Sequence, residues 1–411
     1  MTKNVQAQEN SPYSRYGLGD VLPSYNIVAR GMGGLASPYR DLQSVNFINP
    51  ASYASLKVVT LDIGLDYTSR TLRTSEPPQK FKSQYLIPSY VQIGVPLTKK
   101  GHWGMNIGLR PMSRINYNLG TRTRLQGIDS VFYNYVGNGG SYQAYLGTGF
   151  GWKNFTVGLN AGYLFGNKEY TTRVQFINDT IPYKKTNSSD TTRFGGLFAT
   201  AGLQWTIPVG KSMFVRLGLN GSLQHKLNAT RDITRQTYEN GVNGPVVIDS
   251  IYRASDVKGE IIYPASYGGG IILEKEDNWQ IGVEYNTMKW SDYRYYGQED
   301  KLKNSWTLRI GAQLTPDLLS KSYWSRVAYR VGFSYGPSYV DVGTQFDQYM
   351  FSFGAGFPLK RNYYNNQYTT IQTAFEYGVR GNKDQPLREN LMRITIGFNL
   401  SDIWFNKRKY D

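Results

Sequence analysis

Along most of the chain, apolar and polar residues alternate with a period of two. Residues 60–67 (TLDIGLDY) put Leu61, Ile63, Leu65 and Tyr67 on one side and Thr60, Asp62, Gly64 and Asp66 on the other. Successive side chains of a strand point to opposite faces, so this spacing predicts a strand with one oily and one wet face. The pattern returns in YLIPSYVQIGVPL (85–97), where the alternation assigns Ile87, Val91, Ile93 and Val95 to one face. In HWGMNIGLRP (102–111), Trp103, Met105, Ile107 and Leu109 oppose Asn106, Gly108 and Arg110. SYQAYLGTGFGW and NFTVGLNAGYLFG read as a hairpin turning at Lys153–Asn154. Further strands are expected near 194–208, 213–228, 259–274, 279–292, 304–316, 326–339, 347–358, 367–381 and 390–404. Helical periodicity is nearly absent.

The connections carry a second signal. Short links at 98–102, 153–154, 208–212 and 275–278 alternate with long ones at 112–138, 170–193 and 225–258, the last being the longest. Connections 317–325 and 359–366 are longer than the other short ones. Alternating short and long loops joining an even number of strands, about fourteen here, are the mark of an up-and-down transmembrane β-barrel. The expected fold is therefore all-β: an antiparallel barrel over residues 58–405. Its outward faces meet lipid and its inward faces meet a hydrated or filled lumen.

Composition sharpens this. The 411 residues include 44 Gly, 34 Tyr, 8 Trp and no Cys, and mean hydropathy is −0.47. No run of about 18 apolar residues is present, which excludes a transmembrane helix but not a barrel. Without cysteine there are no disulfides and no thiolate chemistry, and with only His102 and His225 as imidazoles no metal site or cofactor is expected. No carboxylate pair is linked to a nucleophile, so no catalytic residue is expected. The net charge of +16 comes without a Lys/Arg run or a nucleic-acid-binding motif. Basic residues scattered through turns suit anionic lipid head groups, including lipopolysaccharide, and nucleic acid is not an expected partner. Trp103, Trp152, Trp205, Trp279, Trp290, Trp306, Trp324 and Trp404 fall near strand ends, as interfacial girdles require.

Residues 9–57 do not alternate. They are rich in Gly, Pro and Ser yet too apolar for a disordered tail, and the lumen of so wide a barrel needs filling. This segment is expected to fold inside as a plug. By parity Arg110, Arg216, Glu284, Arg309, Arg330, Glu376 and Arg393 also point inward, with Glu284 and Arg309, and Glu376 and Arg393, on consecutive strands. Opposite charges there lower the cost of burial and hold the plug or line a polar conduit. The start, MTKNVQAQEN, resembles the end of a signal peptide matured after Ala7 or Gln8, leaving residues 1–8 outside the fold. At the other end, Met392, Ile394, Ile396, Phe398 and Leu400 alternate outward in a last strand, followed by a basic tail at 406–411.

ARGMGGLASPYRDLQSVNFINPASYASL (29–56) resembles the N-terminal hatch of FadL-type outer-membrane proteins. So do residues 137–166 and 263–293 their middle and later strands, and SPYSRYGLGD and WFNKRKYD are similar to a Bacteroidota branch. The resemblance implies fourteen strands in the Gram-negative outer membrane, a hatch carrying Asn49, Pro50 and Ala51, and passage of hydrophobic small molecules. It implies hatch glycines, Gly31, Gly33 and Gly34, that permit rearrangement or close packing. It implies a strand kink opening sideways, for which Pro88 and Pro264 are the candidates. The same superfamily includes barrel subunits of secretion machinery, so a non-transporting subunit or scaffold of a secretion or barrel-assembly complex, with envelope protein partners, is the alternative.

Overall fold

The structure, a computed structural model of the whole chain, describes residues 11–403 apart from 76–77, 99–101, 127–128, 178–183, 242–243, 277, 318–319, 342, 344, 360–366, 383–384 and 386. Trp404 and the basic tail lie outside the described residues. The strands in chain order are β1 (Asp20–Val21), β2 (Val59–Thr74), β3 (Gln79–Pro96), β4 (Trp103–Leu125), β5 (Asp129–Trp152), β6 (Phe155–Phe176), β7 (Lys185–Pro208), β8 (Met213–Ser222), β9 (His225–Gly241), β10 (Gly244–Tyr263), β11 (Ser266–Lys275), β12 (Trp279–Met288), β13 (Arg294–Tyr295), β14 (Ser305–Leu314), β15 (Ala328–Asp341), β16 (Gln345–Pro358), β17 (Gln367–Arg380) and β18 (Leu387–Asp402).

Fourteen of these, β2–β8, β11, β12 and β14–β18, close into an antiparallel barrel when β18 pairs with β2 from Asp402↔Val59 to Leu387↔Thr74. Each barrel strand carries an exposed apolar side chain on its outer face, such as Leu65, Ile107, Leu146, Leu219, Ile281, Phe351 and Ile394. Closure is what makes such a band tolerable in lipid, because it pairs the N–H and C=O groups of neighbouring strands around the ring.

Three expectations are corrected. The long connections 112–138 and 170–193 are mostly strand, as extensions of β4, β5, β6 and β7, and 225–258 forms most of the β9–β10 hairpin, which stands outside the barrel because β8 pairs directly with β11. Trp290 is not in a girdle: it is 3% exposed and stacks on Tyr339 inside the barrel. Ile87 does not share a face with Val91, Ile93 and Val95, because the β2–β3 register shifts between Leu65↔Pro88 and Gly64↔Tyr90. The extra residue, Ser89, turns parity over, and Ser89 and Tyr90 are both buried inward.

Residues 11–57 lie against the inward faces of the strands. They include two short helical elements with legible caps. In α1 (Ile27–Gly31) the Asn26 side chain accepts from the Ala29 N–H at 2.9 Å. In the 3₁₀ turn Pro50–Ser55, Asn49 accepts from the Ala51 N–H at 3.1 Å with Pro50 in the first turn. Asparagine as cap and proline where no N–H is needed explain the Asn-Pro-Ala tripeptide locally.

Glycines of the wall make this fit. A Cβ at Gly104 would collide with the Tyr53 carbonyl, one at Gly158 with Pro50, and one at Gly332 with the Gly33 amide. Replacing Gly158 by valine is expected to push the Pro50 turn off the wall while improving strand propensity, at a cost of about 1–3 kcal/mol typical of overpacking. Protease cleavage within residues 45–57, slow in the parent and fast in the variant with the barrel still heat-modifiable, checks it.

Candidate functional site

The inner segment is tied to the barrel by buried charge. Arg30, on α1, is 2% exposed. Its guanidinium donates to both Asp66 oxygens at 2.8 and 2.7 Å, to Ser89 Oγ at 2.6 Å and to the Pro23 carbonyl at 2.8 Å. Glu376 stands 3.9 Å from the same group and receives Arg393 at 3.2 Å. The bulge in β3 is what delivers Ser89 to Arg30. It also aims Tyr90, whose hydroxyl donates to Asp62 at 3.1 Å and accepts from the Ile27 N–H at 3.2 Å. The inward aspartates of β2 thus have distinct partners, and among the described residues only Asp66 meets a cation.

A second cluster holds β1. Asp20 pairs with Arg70 at 2.9 Å and Arg380 at 3.1 Å, and Glu389 meets the same two arginines at 2.6 and 3.6 Å. Burial by itself raises the Asp20 carboxyl, but Arg70 and Arg380 outweigh it and hold it below its ordinary value.

The seven inward charges fall as follows. Glu284 and Arg309 are register partners 3.5 Å apart, and Glu284 Oε2 accepts from the Ala36 and Ser37 amides at 2.6 and 2.5 Å. Glu376 and Arg393 are register partners as well. Arg216 pairs with Glu274 at 2.5 Å and donates to the Pro38 carbonyl. Arg330 donates to Gln313 and Gln372. Arg110 donates to Gln143 at 2.8 Å and lies 4.6 Å over the Phe47 ring, with no carboxylate beside it among the described residues.

Asn49 donates to the Ser37, Leu203 and Leu219 carbonyls, joining the segment to β7 and β8. Gly33 and Gly34 have φ of +69° and +86°, which favours glycine, and Gly31 lies against Gly354. Pro264 sits in the break between β10 and β11 and kinks neither.

Pro88 is at a different kind of place. Although β3 and β4 have 18 and 23 residues, they pair only from Val91↔Leu109 to Pro96↔Gly104. Above that point they part. Pro88 marks the bulge on β3, and on β4 a second bulge at Met112 follows Pro111. Proline cannot donate to a ladder, so its presence on both parting strands is consistent with their unpaired edges. The vacant edge of β4 is taken by β1, with Asp20↔Arg114 and Val21↔Ser113, and the Leu22 N–H donates to the Met112 carbonyl at 3.0 Å.

Two cavities meet there. One of about 420 Å³ lies in the lumen, bounded by Arg70, Arg110, Arg380, Tyr263 and Trp290 among others. The other, of about 460 Å³, lies in the wall gap against Ile87, Pro88, Val91, Leu109, Pro111 and Tyr142. Leu22 borders both. Sequence reading found Pro88 but not Leu22, Asp20, Arg30 or Pro111. Pro111, in the middle of an alternating run, was the available signal.

A closed fourteen-stranded wall around a segment that threads the lumen defines a FadL-type barrel. Solved structures share the fold: a Pseudomonas aeruginosa FadL homologue (13% identity, 94% of this chain and 100% of that one, TM-score 0.60), the Pseudomonas putida toluene transporter TodX (14%, 94% and 99%, 0.59) and the Ralstonia pickettii toluene transporter TbuX (13%, 92% and 98%, 0.61). No curated protein matches the chain. The chain belongs to the BamG family, whose model matches residues 1–411.

Proposed function

We propose that this protein sits in the outer membrane and passes hydrophobic small molecules inward, from the lumen cavity sideways through the gap between β3 and β4. The observation that carries this reading is Leu22, one inner-segment side chain standing between two cavities at the place where the wall is unpaired. Two proteins of the same fold, TodX and TbuX, are toluene transporters, which supports it. In this reading residues 11–57 are a hatch, and β1 is its movable part. The short-turn end faces the periplasm, and the long strands and the β9–β10 hairpin face outward.

The chain has no cysteine, so Val21→Cys with Ser113→Cys creates a single lockable pair on register partners. Oxidised cells are expected to take up oleate and toluene at least tenfold more slowly than reduced ones. Uptake indifferent to the lock would end the lateral route. A second reading, a non-transporting barrel subunit of an envelope complex, is favoured by the buried ion pairs that bolt the hatch at Arg30 and Asp20. A locked and an unlocked protein with equal, negligible uptake would favour it.

A further inference from the structure

On the outer face of β2 and β18 the apolar band starts at the register pair Leu400↔Leu61 and ends at Met392↔Ser69. That is about nine strand residues, as many as cross the hydrocarbon of a bilayer. The next residues up, away from the short turn at 97–102, are basic. Lys82 of β3 is the register partner of Thr71, which pairs on its other side with Asn390. Two residues higher, Arg73 has Lys80 on one side and Arg388 on the other. Each of these four cations lies an even number of residues from Tyr67, Leu86 or Met392 on its own strand, with no register shift between, so all four share the outer face with the apolar band.

This row is short of counter-charge. Arg73, Lys80 and Lys82 are exposed, Arg388 is half-buried, and the Arg388 Nε has no hydrogen-bond partner. None of the four side chains makes an ion pair with another described residue. The inner face of the same strands is different: Arg70 meets Asp20 and Glu389, and Arg393 meets Glu376. Like charges directly opposite one another destabilise a sheet, and Arg73 has one on each side. An anion from outside the chain relieves that repulsion.

Height selects the anion. Lys82 and Arg73 stand two and four residues above the Met392 level, roughly 7 and 13 Å along the strand. Strand tilt reduces this to roughly 5 and 10 Å above the hydrocarbon, the level of lipid head groups. The ladders of β18, β2 and β3 fix the row there, so the anion it meets is one carried at the membrane surface. The charge is also local. At the level of Asn390, β17 and β16 carry Val379 and Tyr349 instead. The outer leaflet of a Gram-negative outer membrane is built of lipopolysaccharide, which carries phosphate on the sugars that bear its acyl chains. Arginine grips phosphate with parallel N–H bonds and lysine serves it as a point charge.

We propose that Arg73, Lys80, Lys82 and Arg388 form a binding site for the phosphorylated head group of one lipopolysaccharide molecule, whose acyl chains lie against Tyr67, Leu86, Met392 and Ile394. The site takes its orientation from the outer-membrane reading above and does not depend on transport, since binding is measured on the purified barrel whatever it passes.

The test uses the full chain in mild detergent with purified lipopolysaccharide carrying both lipid A phosphates. The variant Arg73→Gln, Lys80→Gln, Lys82→Gln, Arg388→Gln is expected to bind at least tenfold more weakly, with heat-modifiability unchanged. A control of equal charge change on exposed lysines elsewhere, Lys184→Gln, Lys211→Gln, Lys226→Gln, Lys258→Gln, is expected to lose less than twofold. The unaltered chain is expected to bind the same lipid after enzymatic dephosphorylation at least tenfold more weakly, an arm that decides even where the fourfold variant fails to assemble. Millimolar inorganic phosphate and phosphatidylglycerol are expected not to compete. Equal loss in the control, equal binding of the dephosphorylated lipid, unchanged binding by the assembled variant, displacement by inorganic phosphate, or displacement by phosphatidylglycerol each overturns the proposal.

Discussion

Replacing Arg30 by alanine is expected to release the hatch from the wall while the fourteen strands remain assembled. Arg30 holds Asp66, Ser89 and the Pro23 and Tyr25 carbonyls in one guanidinium, at 2% exposure. Its removal leaves Asp66 and Glu376 buried with Arg393 as the nearest remaining cation. Breaking a buried pair on one side costs about 3–5 kcal/mol, because the surviving charge keeps its desolvation penalty without its partner. The strands do not depend on Arg30 for their ladders, so the loss is confined to docking of residues 11–57. Planar-bilayer conductance is the readout: near zero for the parent, open and long-lived for Arg30→Ala. Lysine is not expected to rescue it, since one ammonium cannot serve Asp66, Ser89 and two carbonyls in a planar fork. A closed Arg30→Ala barrel would show that the glycine-lined fit and Asn49 hold the hatch unaided.

The second large effect is expected from Asp20→Ala. Asp20 is the residue of β1 that faces Arg70 and Arg380, and with it gone Glu389 is left to two buried arginines. A similar cost of about 3–5 kcal/mol falls on a strand of two residues, so β1 is expected to leave β4 and uncover the gap. A maleimide reacting with Val21→Cys is expected to label the Asp20→Ala background at least tenfold faster than the Asp20 parent. Because the folded Asp20 pKa is below the unfolded one, its contribution is fully present above the unfolded value and is lost as pH falls through the folded one. Labelling in the parent, taken at each pH relative to the same thiol in the unfolded chain so that thiolate fraction cancels, is therefore expected to show no Asp20-dependent change from about pH 5 to 8 and to rise only below the ordinary carboxylate value of about 3.8.

Much of this molecule was legible from its residues, and the reason is local. Whether Leu65 points out and Asp66 points in depends only on neighbours along one strand, so alternation located all fourteen barrel strands. Parity likewise placed Arg110, Arg216, Glu284, Arg309, Arg330, Glu376 and Arg393 inside, and consecutive strands put Glu284 beside Arg309 and Glu376 beside Arg393. The Asn49-Pro50 cap is local too. Trp290 misled because an aromatic near a strand end reads the same whether it turns to the interface or to the interior.

Other features needed the closed barrel. Ile87 changes face because one extra residue at Ser89 shifts a register, and no period-two pattern reveals a shift that exists only relative to a partner strand. The segment 225–258 reads as loop because its apolar residues lack a buried face. It is a hairpin only because β7 runs on past the barrel and offers β9 an edge. The gap between β3 and β4 requires knowing where their pairing stops, and Leu22 matters only because residues far apart in sequence bring two cavities to it. Alternation determined the strands and their faces. Register, which arises only between strands, decided where β3 and β4 part, that β1 lies on the freed edge of β4, and which charges bind the inner segment to the wall.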